Sequence, residues 1–245
     1  MVGSVTKTIG RIEPLSTQPV EESERHYVEV HTRWARHRLR QLPEVTAYHT
    51  NRVLRQYDIR GGWAQRPSAW RFVILRFEGP RISFTPEDRA TIARDHLNCL
   101  KNLRSCVVDE QVLLDQRSGQ TAFEKYLFEY DRAPDTSREQ ADADLDALLR
   151  SLLDLADGAF GLRLVALNRV VAEAEALRAD EPGQVPTGRL LDDTTKLAYL
   201  EIYFDQQEWG DDFFARDDVG ATLRSGSFEV ANGYHVHEAC GMDRR

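Results

Sequence analysis

Apolar and polar residues alternate along several short segments of the chain, which is the pattern of β-strands. In other segments apolar residues recur every three or four positions, which is the pattern of amphipathic helices. In the first half these patterns predict the order strand, helix, strand, strand, helix, strand. The most apolar strand, AWRFVILRFE at 69–78, is expected at the centre of a sheet. The predicted strands span 4–12, 45–54, 69–78 and 105–114, and the predicted helices run from Pro19 to Leu42 and onward from Thr85.

The same order of elements repeats in the second half. Ser137 and Gln140 have capping-box spacing ahead of a leucine-rich helix, and a weaker helix is expected over 209–226. The predicted strands span 125–131, 162–177, 196–205 and 227–239, with a loop rich in Pro and Gly over 181–188. The chain is therefore predicted to be an α+β protein of two ferredoxin-like repeats, residues 1–118 and 119–245.

Each predicted antiparallel sheet would carry its helices on one face and leave the other face bare. The two sheets are therefore expected to pack face to face or to close into a barrel. The simplest architecture is an intramolecular pseudo-dimer, present either as a monomer or as a homodimer.

The composition narrows the classes of function. The 245 residues carry a formal net charge of -8, which argues against a nucleic-acid binder, because neutralising phosphates needs a basic face. No run of eighteen apolar residues occurs, so no membrane span is predicted. Cys99, Cys106 and Cys240 are too few and too widely spaced for a disulfide framework or a zinc motif. A reducing, cytoplasmic location is expected.

Candidate chemistry concentrates in the first helix and the strand after it. His31 shares one side of the predicted helix with Tyr27 and Trp34, and an imidazole there could act as a general acid or base. The alternative is a buried histidine bonded to a backbone carbonyl. On the following strand, His49 and Asn51 share one face while Tyr48 lies on the other.

The segments HYVEVH at 26–31, LP at 42–43 and YHTNRV at 48–53 resemble the EthD-like family of dimeric α+β barrels. Tyr27 and His31 match the family's helix pattern, and Tyr48 and Asn51 match its strand positions. The sequence departs from the pattern at Val28, Thr32 and Arg33. The resemblance covers the first half, and the second half would be a degenerate copy without the polar signature.

This resemblance implies a tandem, ferredoxin-like form of the dimeric α+β barrel. It also implies a class of activity, since members of the family include cofactor-free dehydratases and cyclases of aromatic polyketide pathways. Others have no settled activity, so the family by itself is a weak guide to the reaction.

The remaining histidines admit more than one interpretation. His96 lies on the buried side of the second helix and is expected to be a satisfied core residue, since Asp95 beside it points about 100° away. His235 and His237 share a strand face and could bind a metal only with a third ligand, for which Glu238 faces the wrong way. No metal is therefore predicted, and these histidines are expected to line the barrel lumen.

The function hypothesis is a cofactor-independent acid/base enzyme, either a dehydratase or other lyase, a cyclase or an isomerase. Its substrate would be a small aromatic or polyketide-like carbonyl compound. The predicted catalytic residues are His31, Tyr48, His49 and Asn51, and the predicted substrate-binding residues are Tyr27, Trp34, Trp70, His96, His235 and His237. The alternatives are a non-catalytic small-molecule binding module and an oxygenase, either cofactor-free or haem-dependent.

Overall fold

The structure is a computed structural model that describes residues 5–58, 62–64, 69–119, 122–178, 189–190 and 194–244. The strands are β1 Val5–Pro14, β2 Val45–Asp58, β3 Gly62–Ala64, β4 Arg71–Glu78, β5 Leu100–Asp115, β6 Glu124–Arg132, β7 Leu162–Arg178, β8 Arg189–Leu190, β9 Lys196–Phe204 and β10 Phe228–Asp243. The helices are α1 Val20–His26, α2 Thr32–Leu39, α3 Pro86–His96, α4 Arg138–Ala156, α5 Gln207–Ala215 and α6 Asp217–Leu223, and a π-helical turn, Tyr27–His31, joins α1 to α2.

Eight antiparallel strands close into one barrel. The strand order is β10-β6-β9-β7-β5-β1-β4-β2, and β10 pairs with β2 as well as with β6, which joins the two ends. The short strands β3 and β8 pair only with β2 and β7, outside the ring. Within each half the strand order is the same: fourth, first, third, second. The predicted α+β class and antiparallel barrel are confirmed.

The barrel has an interior and two helix-covered outer regions. One hydrophobic cluster includes Ile9, Phe72, Leu127, Tyr199 and Tyr234 and draws on all eight barrel strands without any helix residue. This cluster is the core of the lumen. Separate clusters join α2 to the outer face of the first-half strands and α4, α5 and α6 to the outer face of the second-half strands. Consecutive strand residues therefore enter different compartments, because strand side chains alternate between faces.

Local sequence signals account for the element boundaries. Thr85 and Asp88 form a reciprocal capping box at the start of α3, with Pro86 in the first turn. The Ser137 side chain accepts a hydrogen bond from the Gln140 amide at the start of α4. The predicted helix starts at these two places are confirmed.

Two helices differ from the predictions made from the sequence, and two further predictions are not tested by the structure. The first predicted helix, Pro19 to Leu42, is interrupted by the π-helical turn and ends at Leu39. The weak helix predicted over 209–226 is two helices, α5 and α6, separated by Arg216, which has an extended backbone. The predicted loop at 181–188 lies outside the described residues, and the division at 118/119 stays a prediction.

Among the described residues, no helix is long and apolar enough to span a membrane.

The leucines of α4 should carry much of the stability of the second half. Leu145 is fully buried in α4, whereas Leu153 on the same helix is only partly buried. Replacing Leu145 by Ala should lower the free energy of unfolding by about 2–5 kcal/mol, because the lost contacts leave a cavity. Urea unfolding measures the loss. Leu153→Ala is the matched control, and its free energy of unfolding should fall by clearly less. Equal decreases in the two variants would contradict the packing described.

Candidate functional site

A largely apolar cavity of about 240 Å³ lies between the helices and the outer face of the sheet in the first half. Its walls come from α2, α3, the π-helical turn and strands β1, β2, β4 and β5. The lining includes Tyr27, His31, Trp34, Tyr48, Phe84 and His96. The cavity therefore brings together His31, Tyr48, Tyr27, Trp34 and His96 from the predicted site residues.

The imidazole of His31 is fixed by a carboxylate from another helix. His31 Nδ1 lies 2.5 Å from Asp95 Oδ2, and His26 Nε2 lies 2.8 Å from Asp95 Oδ1. Burial acts to raise the pKa of Asp95, but the bonds from His31 and His26 outweigh it, and the pKa is lowered. An ionised Asp95 requires the proton of His31 on Nδ1. The other nitrogen, Nε2, is then the one that can accept a proton from a ligand.

Two tyrosine hydroxyls in the cavity lack ordinary hydrogen bonds. Tyr27 is fully buried and Tyr48 is almost so, and neither hydroxyl makes a hydrogen bond of normal geometry to a described residue. The two hydroxyls interact with each other, and that of Tyr48 also with Thr32, and burial raises the pKa of both tyrosines. Since buried polar groups need hydrogen bonds of normal geometry, these two hydroxyls could bind a ligand oxygen.

His96 differs from the expected satisfied core histidine. Its ring lies 5.0 Å from that of His31, and its Nδ1 has no hydrogen-bond partner among the described residues. Burial is the main cause that lowers its pKa to about 3, so the ring stays neutral. As the helix geometry predicted, Asp95 does not orient His96. Asp95 binds His31 instead, a contact between distant segments that the sequence did not suggest.

The two tryptophans predicted to bind substrate have different positions. Trp34 lines the cavity directly. Trp70 packs edge-on against Tyr27 at 5.4 Å and donates a hydrogen bond of 3.0 Å to Glu24. Arg71 lies over the Tyr27 ring, 4.5 Å from its centroid. Trp70 therefore supports Tyr27 from the side and does not line the cavity.

His49 and Asn51 are not in this cavity. Both belong to the inner face of β2, whereas Tyr48 between them packs on the outer face with α2. The four residues predicted to be catalytic are thus divided between two compartments by the alternation of the strand. Asn51 donates to the carbonyl of Phe72 at 3.5 Å, and Asn168 makes the same bond to Tyr199 in the second half. This repetition favours a structural role for Asn51.

His235 and His237 lie on the outer face of β10, so the expectation that they line the lumen is wrong. His235 is buried, stacks on Tyr126 at 5.0 Å and contacts Glu124 at 2.7 Å. His237 is exposed. The lumen instead receives their neighbours, Tyr234 and Glu238. In the part of the chain that the structure describes, no three His, Cys, Asp or Glu residues are placed to hold a metal ion.

A network of buried charges lies at one end of the lumen, beside a cavity of about 440 Å³, and was not predicted from the sequence. Lys7 lies 2.6 Å from Glu110, and Lys125 lies 2.6 Å from Glu238 at the corresponding place in the other half. Glu201 contacts both lysines. The signal was available in KYLFEYD and KLAYLEIYF, where charged residues occur within strands that are buried on both faces.

The comparisons with known proteins concern the fold. No protein-family model and no curated protein matches the chain. The structure of an anthrone oxidase-like protein is similar, with a TM-score of 0.56, 11% sequence identity, and coverage of 98% of this chain and 94% of that one. A protein provisionally described as a chlorite dismutase has a TM-score of 0.50 at 6% identity, with 95% of each chain covered.

The chain shares its fold, an antiparallel α+β barrel, with both of these structures. At such low identities the similarity concerns the fold alone. The resemblance to the EthD-like family in particular stays a prediction.

The buried, neutral His96 should make stability depend on pH. Its pKa in the folded state is about 3 against an ordinary value of 6.5, so the unfolded chain takes up the proton first as the pH falls. This contribution is fully present above pH 6.5 and is lost towards pH 3. Between pH 7 and pH 5, the free energy of unfolding should therefore fall by roughly 1 to 2 kcal/mol less in His96→Phe than in the wild type. Urea unfolding at both pH values measures this difference. His37→Gln, at an exposed histidine, should behave as the wild type does; identical slopes for all three proteins would contradict the shift.

The tyrosine hydroxyls of the cavity should contribute nothing to stability. Tyr48→Phe removes a buried hydroxyl without an ordinary partner and should leave the free energy of unfolding unchanged or raise it. Tyr57→Phe is the matched control, because the Tyr57 hydroxyl donates to the Phe214 carbonyl at 3.1 Å. The free energy of unfolding of Tyr57→Phe should fall by about 0.5–1.5 kcal/mol. If Tyr48→Phe lost as much in chemical denaturation, the hydroxyl of Tyr48 would have a structural partner.

Proposed function

We propose that this protein is an enzyme that removes a proton from carbon in a small, planar carbonyl compound bound in the helix–sheet cavity. One observation carries the proposal: an imidazole oriented by Asp95 faces the same cavity as two buried tyrosine hydroxyls without ordinary partners. The base and the oxygen-binding groups needed for enolate formation thus occur together.

The chemistry follows from the positions of these groups. His31 Nε2 accepts the proton from the carbon next to the carbonyl, and the electron pair of the broken C–H bond moves into the carbonyl to give an enolate. The hydroxyls of Tyr27 and Tyr48 donate hydrogen bonds to the enolate oxygen, where the negative charge develops. Burial raises the pKa of both tyrosines, so they remain donors.

The rings around the cavity favour a flat, apolar ligand. Trp34 and Phe84 form its walls, and the neutral His96 can donate or accept one further hydrogen bond. Tyr27 therefore binds the ligand oxygen together with Tyr48, in place of His49 and Asn51, which were predicted to be catalytic. Enolate formation is a first step shared by dehydratases, cyclases and isomerases.

This reaction requires no bound cofactor. The proposal places no haem in the cavity, because its volume of about 240 Å³ lies below the range of about 300–1,000 Å³ that is usual for the pocket of a drug-sized ligand.

A second candidate is a cofactor-free oxygenase acting on the same enolate. The observation in its favour is that one structure of this fold is described as anthrone oxidase-like. Anthrone is a planar ketone with an acidic CH₂ group. Loss of a proton followed by reaction with O₂ would convert CH₂ to C=O and release water, with O₂ as the oxidant.

We also infer that the two halves are ferredoxin-like repeats. The support is the common strand order of the halves and the paired positions of Lys7 and Lys125, and of Asn51 and Asn168, in the lumen.

Exchange of a carbon-bound proton tests the proposal with anthrone and 1-tetralone as probes. The wild type in D₂O under nitrogen should exchange the acidic C–H for C–D faster than the uncatalysed reaction, as followed by NMR. His31→Gln should reduce the enzymatic rate by at least about tenfold, the low end for loss of a general base. His37→Gln is the control and should retain full activity.

The outcomes separate the candidate functions. Exchange without oxygen consumption in air supports a lyase, cyclase or isomerase, and exchange with stoichiometric consumption supports the oxygenase. Binding of a probe without exchange would show that the protein is a binding module and not an enzyme. Exchange by His31→Gln at the full wild-type rate would show that His31 is not the base.

A further inference from the structure

Two histidines of one helical segment share a single carboxylate. His31 Nδ1 binds one oxygen of Asp95 at 2.5 Å, and His26 Nε2 binds the other at 2.8 Å. The role proposed for His31 uses only its Nε2 and needs one histidine beside Asp95. Orientation of the base alone therefore does not explain why His26 also binds Asp95.

The three side chains lead from the cavity to the surface. The exposed fraction of the side chain rises from 10% at His31 to 13% at Asp95 and 25% at His26. His31 lines the inner cavity, whereas His26 lines a separate surface depression with Glu22, Arg25 and Glu29. The chain of contacts thus leads from the apolar cavity to a second, surface depression.

The π-helical turn makes this arrangement possible. His26 and His31 are five residues apart, which places them about 140° apart around an α-helix, on different sides. In a π-helix the hydrogen bonds join residues five apart, so such residues lie one above the other on successive turns. The turn at Tyr27–His31 brings both imidazoles to the same carboxylate.

The other ionisable groups described along the inner cavity are poor proton carriers. Burial raises the pKa of Tyr27 and Tyr48 and lowers that of His96 to about 3. Arg38 stays charged and is held by Asp88 at 2.7 Å. His31 is the remaining imidazole, and its Nδ1 is already bound to Asp95.

We propose that His31, Asp95 and His26 form a proton path between the cavity and solvent, with the π-helical turn holding both histidines on it. The path rests on the proposed function, for which it supplies the exchange of the abstracted proton with water. His26 acts through Asp95 and His31 and does not touch the substrate.

When His31 Nε2 gains the substrate proton, the Nδ1–H bond breaks and an O–H bond forms on Asp95. His26, whose Nε2–H donates to Asp95 at rest, gains a proton from water on Nδ1 and loses its Nε2 proton to water. Asp95 then passes its proton to the freed Nε2 of His26, and the Nδ1 proton leaves to water. When His31 Nε2 later gives its proton to the product, the same steps in reverse restore the proton on His31 Nδ1.

The test is the exchange rate of the His31 ring proton in the protein without ligand, measured by NMR with ¹⁵N-labelled histidine. His26→Gln keeps an amide that can donate to Asp95 but cannot pass a proton onward. The His31 N–H should exchange with water at least tenfold more slowly in this variant than in the wild type. His37→Gln, the control histidine variant on the same helical arm, should exchange as the wild type does.

Turnover of the ketone probes gives a second measurement. His26→Gln should turn over more slowly than the wild type in dilute buffer and recover as imidazole is added, because a small base replaces the missing histidine. An unchanged His31 exchange rate in His26→Gln would overturn the path, whatever the activity. Slowed exchange in a protein that leaves every probe unchanged would support the path and overturn the proposed function.

Discussion

Closure of the barrel by the pairing of β2 with β10 is the constraint on which the rest of the structure depends. It gives every barrel strand an inner and an outer face, and the helices cover outer faces in both halves. A shift of one position along a strand therefore moves a side chain from the lumen to a helix-covered compartment. This is why Tyr48 belongs to the candidate site while His49 and Asn51, one and three residues further on, belong to the barrel interior.

The two outer compartments are built on the same strand order but are filled differently. In the second half, α4 contributes Leu145, Leu148, Leu149 and Leu152, and α5 contributes Phe213 and Phe214 to a continuous apolar core. In the first half, the corresponding space holds polar rings around a cavity. Since α4 packs on its sheet with leucine and alanine side chains, the fold does not require the histidines of the first-half helices.

The elements and their order could be predicted from the sequence, because periodicity and capping are local signals. Thr85 and Ser137 marked helix starts, and alternation marked the strands of both halves. What could not be predicted is how distant segments meet. The contact of Asp95 with His31 spans 64 residues, and no local pattern encodes it. The π-helical turn was likewise hidden, because Tyr27 and His31 fit an α-helical spacing equally well and only the position of His26 reveals the difference.

The destabilising features of the molecule coincide in one place, and this is the strongest physical argument for its function. The described cavity walls include the hydroxyls of Tyr27 and Tyr48, which lack hydrogen bonds of normal geometry, and the Nδ1 of His96, which has no partner among the described residues. A π-helical turn interrupts the helix beside them. Each feature opposes folding and would be removed by an apolar residue or a regular helix turn. The buried charges of the lumen are different, because Lys7, Lys125 and Glu201 satisfy one another. A bound oxygen would satisfy the tyrosines in the same way, as the proposed function requires.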